Sequence, residues 1–236
     1  ILSHEPEVGD VVAVNALAGC GKTTTISLLC DQVKMIHPYK DVLYLVFNKR
    51  MKEEAAQSNK FPQDVEIRTT HSYVLQHFFG VENMHKLNLV RDYKLEDIQE
   101  ELDLISECRS IFSKTLQELG QRGEQVLKRR VKTIAGYIRN TVKQFQASCD
   151  TRVEDKHVFW RARKNTNLTK RTKWRGLVGV NKYKQWARQF FGVIHETCLY
   201  IQGGHERSFA VSYDGYLKVA QLQKLVIPHH YLFLDE

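Results

Sequence analysis

Read for its apolar and polar positions, the chain has two textures. In the first part, short runs suited to strands are each followed by a segment of helical period. VVAVNA (Val11 to Ala16) precedes Lys22 to Lys34, DVLYLVFN (Asp41 to Asn48) precedes Lys49 to Gln57, and DVEIRTT (Asp64 to Thr70) precedes Ser72 to Phe79. An unbroken apolar run of this length is how a strand buried on both faces reads, and DVEIRTT instead alternates. Ile26, Leu29 and Val33 recur at spacings of three and four, which marks one face of a helix. YLFLDE, at the end, reads as a fourth strand. Strands alternating with helices predict a parallel sheet with crossover connections, and so an α/β fold.

From Gly80 to about Leu222 the texture changes. Leu95 to Leu119, Gln125 to Phe145, Lys182 to Leu199 and Gly215 to Leu225 carry helical periodicity. The organisation expected is a sheet domain beginning in 1–80, a mostly helical insertion over 81–222, and a return strand in 223–236. No apolar run approaches the roughly 20 residues that span a bilayer, and ILSHEPEVGD lacks the pattern of a leader peptide, so no membrane partner is expected. The five cysteines are scattered, with no CxxC pair, which predicts neither a zinc site nor a disulfide framework and favours a reducing compartment.

Charge changes the picture only by where it lies. Between Lys156 and His195 there is no acidic residue and there are eleven of the 35 lysines and arginines, leaving 24 basic against 27 acidic residues elsewhere. Trp160, Trp174 and Trp186 all fall in that block. Basic residues neutralise phosphates and interleaved aromatics stack on bases, so the block reads as a nucleic-acid contact. It reads equally as a solvated basic loop whose tryptophans anchor it to a core. Lys128, Lys132, Arg139 and Lys143 fall on one stripe of their helix, open to the same two readings.

The chemistry is carried by ALAGCGKTTT, Ala16 to Thr25, placed between a predicted strand and a predicted helix. In G-x-x-x-x-G-K-[ST] a glycine-rich turn aims backbone amides at phosphates, the lysine reaches the β/γ-phosphates, and the hydroxyl coordinates Mg²⁺. Here Gly19, Gly21, Lys22 and Thr23 fit, while Ala16 stands in the first glycine position. Cys20 and Thr24 complete the loop, which is expected to bind ATP. LFLDE supplies the acidic element such a loop requires, with Asp235 expected at the metal and Glu236 expected to activate water. Lys22 and Glu236 are the expected catalytic groups, and Asp followed by Glu favours ATP hydrolysis.

AxxGxGKT, FNK (Phe47 to Lys49), TTHS (Thr69 to Ser72), DGYLK (Asp214 to Lys218) and LFLDE, in this order, resemble the UvrD/Rep-like superfamily 1 DNA helicases. Among them VVAVNALAGCGKTTT, LYLVFNKRMKEEA and SYDGYLKVAQL are most similar to the eukaryotic F-box helicases. The resemblance implies a RecA-like P-loop sheet and ATP hydrolysis coupled to 3′ to 5′ movement on single-stranded DNA, in recombination or fork repair in a nucleus. It implies that Phe47, Asn48 and Lys49, then Thr69, His71 and Ser72, contact the DNA, with Thr70 where the family has an aromatic. It further implies a second motor domain, so the chain is expected to be part of a longer protein and inactive in unwinding alone. Ubiquitin-ligase subunits are implied partners if an F-box lies upstream. Two other readings stay open: a P-loop ATPase with no DNA role, and a DNA-binding remnant without turnover.

Overall fold

The computed structural model describes residues 7, 9–14, 17, 19–159 and 178–235. The chain forms two compact units, one of Ile1–Leu75 with Val226–Glu236, the other of Gln76–Leu225.

The first unit is built on a parallel three-stranded sheet. Its strands are β1 (Val42–Val46), β2 (Val65–Thr69) and β5 (Tyr231–Leu234), with β1 in the centre. Val42 pairs with Val65 on one side and Tyr231 on the other. All five residues of β1 are buried, as the unbroken run VLYLV predicts for a strand covered on both faces. Val42, Tyr44 and Val46 pack with Cys30, Ala55 and Val65, so α1 (Lys22–Ile36) and α2 (Lys49–Gln57) cover one face. Leu43 and Leu45 pack with Tyr73 of α3 (Thr70–Phe79) on the other.

The strand expected over Val11 to Ala16 is not formed at Val11–Val14; Asn15 and Ala16 lie outside the described residues. Val11 is 91% exposed, and Val12 and Val14 are exposed too. A strand persists by backbone pairing with a neighbour, and among the described residues the sheet closes at β5 without this segment.

The second unit is mostly helical. Its centre is α7 (Gly123–Gln146), packed against α8 (Val180–Gln202). Leu127, Val131, Ile134, Ile138, Val142 and Phe145 form the buried stripe of α7, and Tyr183, Trp186, Phe190, Phe191 and Ile194 that of α8. The single helix expected over Leu95 to Leu119 is three: α4 (Leu95–Glu101), α5 (Leu104–Ile111) and α6 (Ser113–Leu119). Ile98 and Leu104 are both fully buried, yet six residues apart on a straight helix they would diverge by about 120°. The break, with Asp103 in the left-handed region at φ 42°, lets both face the core. A short parallel pair, β3 (Leu89–Val90) with β4 (Val211–Ser212), was not expected.

α9 (Tyr213–Leu222) carries DGYLK and is clamped at both ends. Ser212 caps it, its Oγ accepting from the Gly215 amide at 3.1 Å, while the Tyr93 hydroxyl accepts from Ser212 N at 2.9 Å. A Cβ on Gly215 would stand 2.9 Å from Ser212 Oγ and 3.1 Å from the Tyr93 hydroxyl, so this glycine is required by crowding. Lys218, 1% exposed, donates to Ser148 O, Asp150 O and Gln221 Oε1 at 2.7, 2.6 and 2.8 Å. The loop after α7 is tied further by Asp150, whose carboxylate takes Lys156 Nζ and buried His157 Nε2, each at 2.7 Å. Among the described residues no helix is long and apolar enough to cross a membrane.

Gly215→Ala is expected to destabilise the protein by about 1–3 kcal/mol, read from urea unfolding. The Lys156 ammonium, aided by His157 and Ser148 against some desolvation, holds the Asp150 carboxyl down at about 2. A depressed carboxyl stabilises the fold above its unfolded pKa of about 4 and loses that contribution as pH falls towards 2. Asp150→Asn should therefore flatten the pH dependence of the urea midpoint between about pH 4 and 2, relative to the parent chain.

Candidate nucleotide site

Parallel register sets which residues share an edge. Val46 stands opposite Thr69, and Leu45 opposite Leu234, so β1, β2 and β5 all end on one side of the sheet. Phe47 to Lys49, Thr69 to Ser72 and Asp235 follow those three ends directly. Open parallel sheets bind ligands beyond the carboxyl ends of their strands.

Gly19 and Gly21 have φ of 78° and 85°, in the region that favours glycine. A Cβ at either would meet nothing within 4 Å, so conformation, not crowding, calls for glycine. Gly21 begins α1, which has no side-chain cap and no acidic residue in its first turn. A helix N-terminus of this kind suits an anion. Lys22, Thr23 and Thr24 form that turn, with Cys20 exposed beside it. Ala16 and Glu236, the first and last of the expected site residues, lie outside the described residues.

Asp235 is 6% exposed, and its amide donates to Leu45 O at 3.1 Å. Its Oδ2 accepts from the Tyr44 hydroxyl at 2.8 Å. Burial first, then the bond and charge of Asp235, push the Tyr44 phenol well up, so it stays protonated. Sequence reasoning missed Tyr44. The available signal was its polar tip inside an otherwise apolar buried run, since such a hydroxyl needs a partner.

The expected DNA-contacting residues divide by what they already do. Phe47, directly after β1, is 69% exposed and so is not a core aromatic. Asn48 caps α2, its Oδ1 accepting from Met51 N at 3.0 Å, and exposed Lys49 lies 3.5 Å from Glu53. Thr69 Oγ1 accepts from Ser72 N at 3.2 Å and Ser72 Oγ donates to Thr69 O at 3.0 Å, closing the turn that starts α3. His71 is half-buried and Thr70 exposed.

Three of the four basic residues in the stripe of α7 stand near carboxylates. Lys143 and Arg139 stand 2.7 and 3.5 Å from Asp92, and Lys132 stands 3.9 Å from Glu96. Lys128 is exposed. In the basic block, Lys182 and Lys184 pair with Glu107 and Asp155, and Arg188 donates to Val153 O. Trp186 is fully buried, with its indole donating to Glu107, so it anchors the core. Trp160, Trp174 and the block's positions 161–175 lie outside the described residues.

A divalent cation bound with a nucleotide takes phosphate and water oxygens and needs one or two oxygens from the protein. The Thr23 hydroxyl, in the first turn of α1, and the Asp235 carboxylate, directly after β5, are oxygens of that kind. In class, then, this is an α/β protein with a small parallel sheet and many helices. Compared with curated proteins, the chain is 28% identical over 242 aligned positions to F-box DNA helicase 1 of Gallus gallus. The alignment covers all of this chain and 20% of that protein, so the chain spans about a fifth of the relative's length. This similarity points to a helicase-related family. No family model matches the chain, and no solved structure matches it significantly.

Asn48→Ala should cost about 1 kcal/mol of stability through the lost cap, whereas Phe47→Ala should change it by less than about 0.5 kcal/mol. Chemical denaturation of the two variants checks both.

Proposed function

We propose that this chain is the nucleotide-binding part of an ATP-dependent DNA helicase, with a RecA-like P-loop sheet that couples ATP hydrolysis to movement on single-stranded DNA. The observation that carries the reading is the glycine turn, with Gly19 and Gly21 at positive φ leading into α1, in a unit whose three parallel strands end on one side with Asp235 directly after β5. Similarity to a helicase over the whole chain supports the same reading.

ATP with Mg²⁺ would supply a phosphoanhydride bond and the charge that makes it cleavable. The amides of residues 19–24 bind its phosphates, and Lys22 neutralises them. Thr23 and Asp235 hold the cation, and Glu236 takes the proton from the attacking water. DNA lies along the strand-end surface, where the exposed Phe47 ring is free to stack on a base. Lys49, His71 and the capped turns at Asn48, Thr69 and Ser72 set the backbone path beside it. A second motor domain, beyond this chain, closes over the nucleotide and turns hydrolysis into a step. Work in recombination or fork repair in a nucleus, and ubiquitin-ligase partners where an F-box is present, belong to this proposal.

Lys22→Ala is expected to weaken binding of a fluorescent ATP analogue at least about tenfold, the worth of one charge-assisted contact. Unchanged binding, or binding that excess unlabelled ATP does not displace, would exclude a P-loop site. In the full-length protein single-stranded DNA should accelerate ATP hydrolysis, and Phe47→Ala should blunt that acceleration. Hydrolysis indifferent to DNA would leave a P-loop ATPase of another kind.

A further inference from the structure

We propose that Tyr44 sets the choice of cation at the nucleotide site: its hydroxyl engages one oxygen of Asp235, makes that carboxylate a one-oxygen ligand, and so favours Mg²⁺ over Ca²⁺. The inference rests on the ATP-binding reading and deepens it.

Two neighbouring strands bring the pair together. Tyr44 is the middle residue of β1 and stands opposite Phe233 of β5. Asp235 follows β5, its amide held by Leu45 O at 3.1 Å. Side chains two apart on a strand share a face, so Asp235 turns to the face on which Phe233 packs with Tyr44. Cys30 of α1 packs on that face, and α1 is the helix that the glycine turn opens. The Tyr44 ring is buried there and stacks on Phe61, with ring centres 5.0 Å apart at 20°. A ring fixed by packing holds its hydroxyl in one place, and the contact it makes with Asp235 Oδ2, at 2.8 Å, is buried.

Hydrogen-bond direction gives this contact its use. A phenol has one hydrogen and an ionised carboxylate has none, so Tyr44 donates and Oδ2 accepts. An oxygen that has taken a donor is a poorer and more crowded cation ligand than its twin. Chelation of one cation by both oxygens is thereby opposed, while ligation through Oδ1 alone is not. Mg²⁺ is small, demands a near-octahedral shell and fills it with waters and phosphate oxygens around one or two carboxylates. Ca²⁺ takes roughly six to eight oxygens in a looser shell and accepts both oxygens of one carboxylate. The Tyr44 hydroxyl therefore withholds from Ca²⁺ a second oxygen that Mg²⁺ does not need.

Tyr44→Phe removes the hydroxyl and leaves the ring and its stacking. The measurement is the affinity of this chain for a fluorescent ADP analogue with Mg²⁺, with Ca²⁺ and with EDTA, each cation's gain being taken over EDTA. The parent chain should gain more from Mg²⁺ than from Ca²⁺. In Tyr44→Phe the ratio of the two gains should fall by about 10-fold, the lower end of what losing a ligand's hydrogen-bond partner costs in metal affinity. A purely structural tyrosine would move both gains together, so an unchanged ratio overturns the proposal. A parent chain with no preference between the two cations also overturns it, and that result needs no variant. Asp235→Ala should lose most of both gains, and their survival there likewise overturns the proposal. If Asp235→Ala loses them while Tyr44→Phe keeps the parental ratio, the selectivity of Tyr44 falls and the nucleotide site stands. If the parent chain binds no nucleotide, the ATP reading falls and the proposal with it.

Discussion

Parallel pairing of one five-residue strand with a neighbour on each side is the constraint on which the first unit depends. Once Val42–Val46 is fixed between Val65–Thr69 and Tyr231–Leu234, the stretches that leave these three strands have their location. Three strands that run in one direction must also end on one side. The loops leaving them are collected at one edge, although Phe47 and Asp235 are far apart in sequence. The cost is that β1 must be apolar on both faces, and it is, with one exception.

That exception explains why the site was only partly legible in the sequence. The glycine turn, the lysine and the acidic strand end could be read because their spacing is tied to phosphate chemistry. Tyr44 could not, because a tyrosine in a buried strand packs like phenylalanine until something meets its oxygen. The capping work of Asn48, Thr69 and Ser72 was hidden for a related reason. A side chain offered to a ligand and one offered to its own helix look alike in one dimension.

Fold legibility followed the same logic. The run VLYLV was readable as a strand because burial on both faces leaves an unbroken apolar signature, and YLFL carries the same signature although Leu232 and Leu234 are exposed. VVAVNA carries that signature too, yet its described part is exposed, since apolarity alone cannot provide a paired edge. The period over Leu95 to Leu119 gave helix correctly but concealed two breaks, because Ile98 and Leu104 reach one core only when the axis turns between them. The lysine stripe and Trp186 stayed open to two readings for want of their partners. Asp92 and Glu96, which stand beside the stripe, and Glu107, which takes the indole, lie far along the chain.

The clasp around α9 bears on how such chains are recognised. Lys218 and Gly215, which give DGYLK its character, serve the loop after α7 and the packing against Tyr93. Both lie in the second unit. As a signature, then, DGYLK vouches for the architecture of the helical unit and is silent about the nucleotide site proposed for the first. A relative that had lost every trace of ATP turnover could keep the motif intact for mechanical reasons, and one that kept turnover could lose it by finding another clasp.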